Sequence, residues 1–250
     1  MKVLDLFSGT QSVRKALDQM NIDYEYYGID IYSPEAINVI LDLSQDNIVK
    51  KLLNVLPRDW KPDFIWASPV CNKFSLASAV KGGNIYFEKT KKGIKIRENF
   101  EPLKTSVYKN MDQDKIKEDA KLHINLVNNM QKIIDYYNCD FIIENPYNSY
   151  IKNILNPLYI INKADYCMYG YDYKKPTALF SNYNFKMKTC NHDKHNTKIG
   201  SRTTKKQYGN DQKKVSNYTE KSSVPQKLII DILNTILTTG EKDHISEVTI

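Results

Sequence analysis

What most constrains this chain is a repeated succession: a short apolar run, a break made of Gly, Pro, Ser, Asn or Asp, then a helical stretch. Val3-Leu4-Asp5-Leu6 reads as a buried strand that ends at Ser8-Gly9, and residues 12–20 read as a helix. Residues 26–31 form a second predicted strand, with Asp30 at its end. Val39-Ile40-Leu41 forms a third, closed by Asp42. Residues 48–55 are predicted helical. Phe64-Ile65-Trp66-Ala67 is a fourth strand, broken by Ser68-Pro69, and Phe141-Ile142-Ile143 a fifth, broken by Asn145-Pro146. Strands alternating with helices imply βαβ units. The expected fold is therefore α/β, with a mostly parallel, doubly wound sheet.

Ahead of the fifth strand, Ile116, Ala120, His123, Val127, Met130 and Ile134 recur at steps of three and four, the apolar face of one long helix. His123 lies on that face, and the expectation for it is a core or half-buried histidine rather than a catalyst. Residues 80–110 and 186–227 break the pattern: the first has no clear period, and the second is rich in Lys, Asn, Thr and Ser. Stretches this long without an element of their own are usually functional or disordered. A final apolar helix, 228–237, follows Pro225, and residues 241–250 read as a frayed tail.

Composition narrows the function classes. The 250 residues are 41% apolar and 26% charged, a globular balance. No apolar run is long enough to span a bilayer, and no signal-peptide pattern precedes the first strand. Cys71, Cys139, Cys167 and Cys190 show no paired spacing, so neither a disulfide framework nor a zinc knuckle is expected, and a reducing cytoplasmic setting is. Cys190, His192 and His195 form C-x-H-x-x-H, but with no second cysteine near in sequence no metal ligands are assigned. The net charge of +7 is uneven. Residues 80–110 hold 8 basic and 3 acidic side chains and residues 186–227 hold 11 and 3, whereas the rest of the chain is slightly acidic. Two basic segments on such a scaffold point to a polyanionic partner.

Three motifs carry chemistry. Asp5-Leu6-Phe7-Ser8-Gly9-Thr10 ends the first strand and opens a helix, where glycine lets the backbone approach a ligand. Asp30, at the end of strand two, can accept hydrogen bonds from ribose hydroxyls. Asp42, at the end of strand three, can receive an adenine amino group or cap a turn. A plain turn flanked by solvated acids uses the same residues. Ser68-Pro69-Val70-Cys71-Asn72-Lys73-Phe74-Ser75 follows strand four and puts a cysteine where a nucleophile sits, with Lys73 as a cation to lower its pKa. The bland alternative is a packed thiol. Glu144-Asn145-Pro146 brings a carboxylate to the end of strand five, able to act as acid or hydrogen-bond partner.

In order, D-L-F-S-G, P-x-C before F-S, E-N-P, Tyr169-Gly170 and Ser222-Ser223-Val224-Pro225 resemble the motifs of the cytosine-C5 DNA methyltransferases, in particular compact phage or viral members. The resemblance implies a class I, Rossmann-like methyltransferase fold. It implies a catalytic and cofactor domain over 1–185 with a long, mobile loop at 72–110, a small basic target-recognition region at 186–221, and a returning helix within 222–250. It implies S-adenosylmethionine as cofactor, held by Asp5, Phe7, Ser8, Gly9, Thr10, Gln11, Asp30, Ile31, Asp42, Ser68, Ser223 and Val224. Cys71 would attack C6 of a flipped-out cytosine and Glu144 would meet its N3/N4 edge. Pro69, Asn145, Lys175 and Thr177 would complete the catalytic set. The implied partner is double-stranded DNA, bound by a monomer, and a cognate restriction endonuclease is compatible with it.

The chain departs from the family pattern at several positions. Gln11 stands where a second glycine is usual, Val70 replaces the second proline of P-P-C, and Pro146 follows Glu-Asn in place of the commoner valine. Lys175 and Thr177 occupy the positions of an R-x-R pair, which loses bidentate arginine geometry. Lys221 and Ser222 replace the first two residues of G-N-S-V-P. A tRNA cytosine-C5 methyltransferase shares the scaffold, and a lapsed enzyme that only binds DNA shares the departures. An amino-methylating enzyme would carry D-P-P-Y or S-P-P-Y where this chain has S-P-V-C.

Overall fold

Strand β1 (Lys2–Leu6) is the axis of the molecule, almost wholly buried between two parallel neighbours, β2 (Glu25–Asp30) and β4 (Phe64–Ala67). The computed structural model describes residues 1–31, 39–191, 195, 197–198, 213–214 and 222–239. The target-recognition region expected at 186–221 and the tail at 241–250 lie mostly or wholly outside these residues. Among them, no helix is long and apolar enough to cross a membrane.

β3 (Val39–Ile40) extends the sheet beyond β2, and β9 (Asp140–Pro146) lies parallel to β4. Two further strands, β10 (Ile160–Asp165) and β11 (Pro176–Ser181), form an antiparallel pair, and β11 inserts antiparallel against β9. The order is β10-β11-β9-β4-β1-β2-β3. The winding of the sheet reverses between β1 and β4. In an open α/β sheet, that switch is where a crevice forms at the carboxyl ends.

Alternation along each strand sends side chains to two cores. Leu4, Leu6, Ile29, Ile65 and Ile143 face helices α2 (Ile48–Val55) and α4 (Gln113–Tyr137). Val3, Phe64, Trp66, Ile142 and Leu179 face α1 (Ser12–Leu17) and the C-terminal helix, α5 (Gln226–Thr239). The sheet is thus covered on both faces, as the expected doubly wound α/β class requires. α1 is shorter than predicted, its helical hydrogen bonds ending before a left-handed Asn21. α4 starts where Asp112 caps the amides of Asp114 and Lys115, and stops at left-handed Asn138.

Residues 80–110, aperiodic in sequence, hold a small antiparallel sheet of β5 (Ala79–Val80), β6 (Gly83–Asn84), β7 (Phe87–Thr90) and β8 (Gly93–Ile96), followed by α3 (Glu101–Lys104). Its strands are too short for a period to show. Polar side chains hold it together. Asn84 donates to the carbonyls of Lys73 (2.7 Å) and Ser75 (3.2 Å), and accepts from the amides of Tyr86 and Phe87. Arg97 is 1% exposed and donates to the carbonyls of Asn84, Phe87 and Asn99. At Gly83 a Cβ would lie 2.1 Å from the Phe87 carbonyl oxygen, so the close packing admits only glycine. Two remaining short strands, β12 (Thr197–Lys198) and β13 (Lys213–Lys214), pair in parallel.

Candidate active site

A cavity of about 830 Å³ opens at the carboxyl ends of the parallel strands. That is the size and place of a small-molecule site in such a sheet. At one end it is lined by Phe7, Gly9, Asp30 and Asp42, at the other by Cys71 and Glu144. Asp5, Ser8, Thr10, Ile31, Ser68, Pro69, Lys175 and Val224 also line it. The predicted residues Gln11, Asn145, Thr177 and Ser223 are not among the lining. Each supports the wall from behind.

Gln11 is 4% exposed and left-handed, with φ 54°, the conformation that a glycine would supply more cheaply. Its carbonyl accepts from Lys15, starting α1. Ser223 Oγ is 2.8 Å from the Tyr171 hydroxyl. Asn145 donates Nδ2–H to the Pro69 carbonyl at 3.0 Å, tying the end of β9 to the cysteine loop. Thr177 is fully buried, and its hydroxyl donates to the Lys175 carbonyl at 3.2 Å.

The first end of the cavity is acidic. Asp30 Oδ2 accepts from the Gly9 amide at 2.9 Å, and Asp42 Oδ1 caps the amide of Ser44 at 2.8 Å. Asp5 accepts a hydrogen bond from the Tyr26 hydroxyl at 2.8 Å. Burial pushes the Asp5 carboxyl up to about 8. The Tyr26 bond opposes that rise and the negative Asp30 adds to it. Asp5 is therefore largely protonated near neutral pH, and the carboxylates of Asp30 and Asp42 are left to face a ligand that carries positive charge and ribose hydroxyls. The donor and acceptor set therefore fits S-adenosylmethionine.

The second end holds the reactive groups. β4 ends at Ala67, and Trp66 donates its indole N–H to Ser68 Oγ at 2.8 Å, fixing the turn that carries Cys71. β9 lies beside β4 and delivers Glu144 to the same edge. The Tyr166 hydroxyl donates to Glu144 Oε1 at 2.7 Å, and Lys175 Nζ stands 3.9 Å from that oxygen and 4.5 Å from the Tyr166 ring centre. Burial, then the negative charge of Glu144, push the Cys71 thiol up, and Lys175 pulls it down. Lys73, the cation expected beside the thiol, is instead engaged by Asp119 at 2.6 Å and the Tyr86 hydroxyl at 2.9 Å. The chain turns between Cys71 and Lys73, with Phe74 N bonded to Cys71 O, and this sends Lys73 toward α4.

No spacing in the sequence links Tyr166 to Glu144: the pairing of β11 with both β9 and β10 brings them together. His123 is half-buried and lines the cavity. Its Nδ1 donates to the Asp119 carbonyl at 2.7 Å, and burial lowers its pKa.

The chain is similar in sequence to a known protein. A curated relative, described as a probable DNA (cytosine-5)-methyltransferase of Frog virus 3 (isolate Goorha), is 29% identical over 196 residues. The match covers 76% of this chain and 75% of the relative. The likeness is to a cytosine-C5 methyltransferase. No family model matches the chain. Among solved structures, the Entamoeba histolytica methyltransferase EhMeth is similar with 16% identity and a TM-score of 0.44, covering 78% of this chain and 57% of that one. The S. pombe Dnmt2 methyltransferase has 15% identity and a TM-score of 0.42, covering 72% and 50%. The chain thus spans between half and three-fifths of those two structures.

Proposed function

We propose that this chain is a cytosine-C5 methyltransferase that acts on DNA with S-adenosylmethionine as methyl donor. The observation that carries the reading is the convergence of Cys71, Glu144 and Lys175 on one cavity whose far end is lined by Asp30 and Asp42. S-adenosylmethionine, when bound, supplies an electrophilic methyl group. Asp30 at the end of β2 is placed to accept from ribose hydroxyls. Asp42 holds the next turn with one oxygen and faces the same crevice.

Carbon 5 of cytosine is a weak nucleophile, and covalent catalysis answers that difficulty. The Cys71 thiolate would add to C6, forming an S–C6 bond as the C5–C6 π electrons pass to C5, and C5 would take the methyl group as the S–CH3 bond of the sulfonium breaks and S-adenosylhomocysteine leaves. The C5 proton then leaves to a base, the S–C6 bond breaks, and the thiolate and the aromatic ring return. Glu144 meets the N3/N4 edge and favours a proton at N3. Tyr166 and Lys175 hold the Glu144 carboxyl in place. A thiolate cannot reach C6 of a cytosine still stacked in a duplex, so the reading entails a flipped nucleotide.

The test is incubation with labelled cofactor and unmethylated DNA or tRNA, followed by mass identification of the modified nucleoside. The expected product is 5-methylcytosine in DNA, reduced by roughly 10³-fold or more in Cys71→Ala. Full activity in Cys71→Ala, or no methylated cytosine in either polymer, overturns the proposal. 5-Methylcytosine in tRNA alone moves the substrate to RNA.

A further inference from the structure

Away from the cavity, Cys167, Cys190 and His195 converge, with their ligand atoms all within 4.8 Å of one another. Cys190 Sγ and His195 Nε2 are 3.5 Å apart. A tetrahedral zinc with ordinary Zn–S and Zn–N bonds holds a sulfur and a nitrogen about 3.6 Å apart, so this pair stands at ligand spacing. Two sulfurs and an imidazole nitrogen form a soft set that selects zinc over magnesium or calcium.

A second observation points the same way. Asp165 is fully buried beside this cluster. Its Oδ2 accepts the Cys190 amide at 2.7 Å, while Oδ1 has no hydrogen-bond partner among the described residues. A buried carboxylate with one bare oxygen is costly unless positive charge lies near. A dication bound by the neighbouring sulfurs supplies it, and Asp165 then orients Cys190 from behind.

We propose that Cys167, Cys190 and His195 bind one zinc ion, with a fourth ligand completing the tetrahedron. In sequence Cys167 lies 23 residues before Cys190, and the β10–β11 hairpin folds back to join them. The ion pins the departure of the basic segment after Cys190 to the 3₁₀ turn Tyr166–Tyr169. That turn also carries the hydroxyl bound to Glu144. The link to target recognition rests on the methyltransferase reading, whereas metal binding does not.

The full chain, purified without chelator and kept reduced, is assayed for metal by mass spectrometry and then reloaded with cobalt(II). The expected result is one zinc per chain, and a cobalt form with thiolate charge-transfer absorption in the near ultraviolet and tetrahedral visible bands. His195→Ala, at the partly exposed ligand, weakens zinc affinity more than about tenfold. Cys167→Ser loses the charge-transfer band in part, and Cys139→Ser keeps full zinc. Absence of stoichiometric zinc together with no thiolate band on the unaltered protein overturns the proposal. So does undiminished zinc in Cys167→Ser, or a Cys167–Cys190 disulfide that persists in reducing buffer. Metal content is read without any methyl transfer, so its failure and failure of the enzymatic reading are separable.

Discussion

At the residue scale, the Cys71 thiol is governed by two groups of opposite sign. Burial and Glu144 hold its pKa above the ordinary value, and Lys175 opposes them. Alkylation by iodoacetamide should therefore rise with pH at a higher midpoint than for a free thiol. Lys175→Met removes the cation that favours the thiolate and should move that midpoint further up, while Glu144→Gln should move it down. A midpoint unmoved by Lys175→Met would mean that the lysine does not reach the sulfur. Tyr166→Phe deletes the hydroxyl on Glu144 and should lower kcat by roughly tenfold, the worth of one charged hydrogen bond, with little change in KM for DNA. An equal rise in KM would assign Tyr166 to binding instead.

Asp5 gives a stability prediction with a definite sign. Its carboxyl is raised to about 8 in the fold and returns to the ordinary 3.8 on unfolding. Between those values the folded state holds one more proton than the unfolded state, so its contribution is full below 3.8 and is lost as pH rises through about 8. Between pH 5 and 7 the chain should lose stability by roughly 1.4 kcal/mol per pH unit from this group, and less per unit as pH nears about 8. Asp5→Asn should flatten that slope, as urea melts at several pH values would read.

At the scale of elements, the four-stranded sheet after the cysteine loop depends on one amide. Asn84 joins Lys73 and Ser75 to β6 and β7, and Phe74 stacks on Phe87 at 5.2 Å. Asn84→Ala leaves two buried amides and two carbonyls without these bonds and should cost about 1–3 kcal/mol or more. Proteolysis should then begin within 76–96 before the main sheet opens. Cleavage that starts in α4 or the main sheet would contradict this. β1, β4 and β9 were legible because each is a short, mostly apolar run, buried on both faces and stopped by a polar break, whereas β10 and β11 show no such run and were not read from the sequence. The small sheet was not, because hydrogen bonds from Asn84 and Arg97 hold it rather than a hydrophobic pattern.

At the scale of the whole molecule, charge is divided between scaffold and appendages. Lys81, Lys89, Lys91 and Lys92 are exposed on the small sheet and its turns. Under the DNA reading, replacing Lys91 and Lys92 by Gln should reduce the slope of log K against log salt by up to about 2, one for each phosphate no longer neutralised. Exposed lysines of the acidic scaffold, such as Lys50, should leave that slope unchanged. An equal effect from both would place the polyanion elsewhere.

The run of βα units and the polar breaks at Gly9, Asp30, Asp42, Cys71 and Glu144 are written in the order of residues, and with them the edge at which these residues gather. Parallel strands with short breaks leave their carboxyl ends on one side, and that follows from connectivity alone. Which cation faces Cys71, which hydroxyl holds Glu144 and which cysteine meets Cys190 depend on how distant segments pack. Each of those partners sits on another segment, and antiparallel insertion of β11 between β9 and β10 brings them together. Pairing between distant strands sets such juxtapositions, and no local period in the chain encodes it.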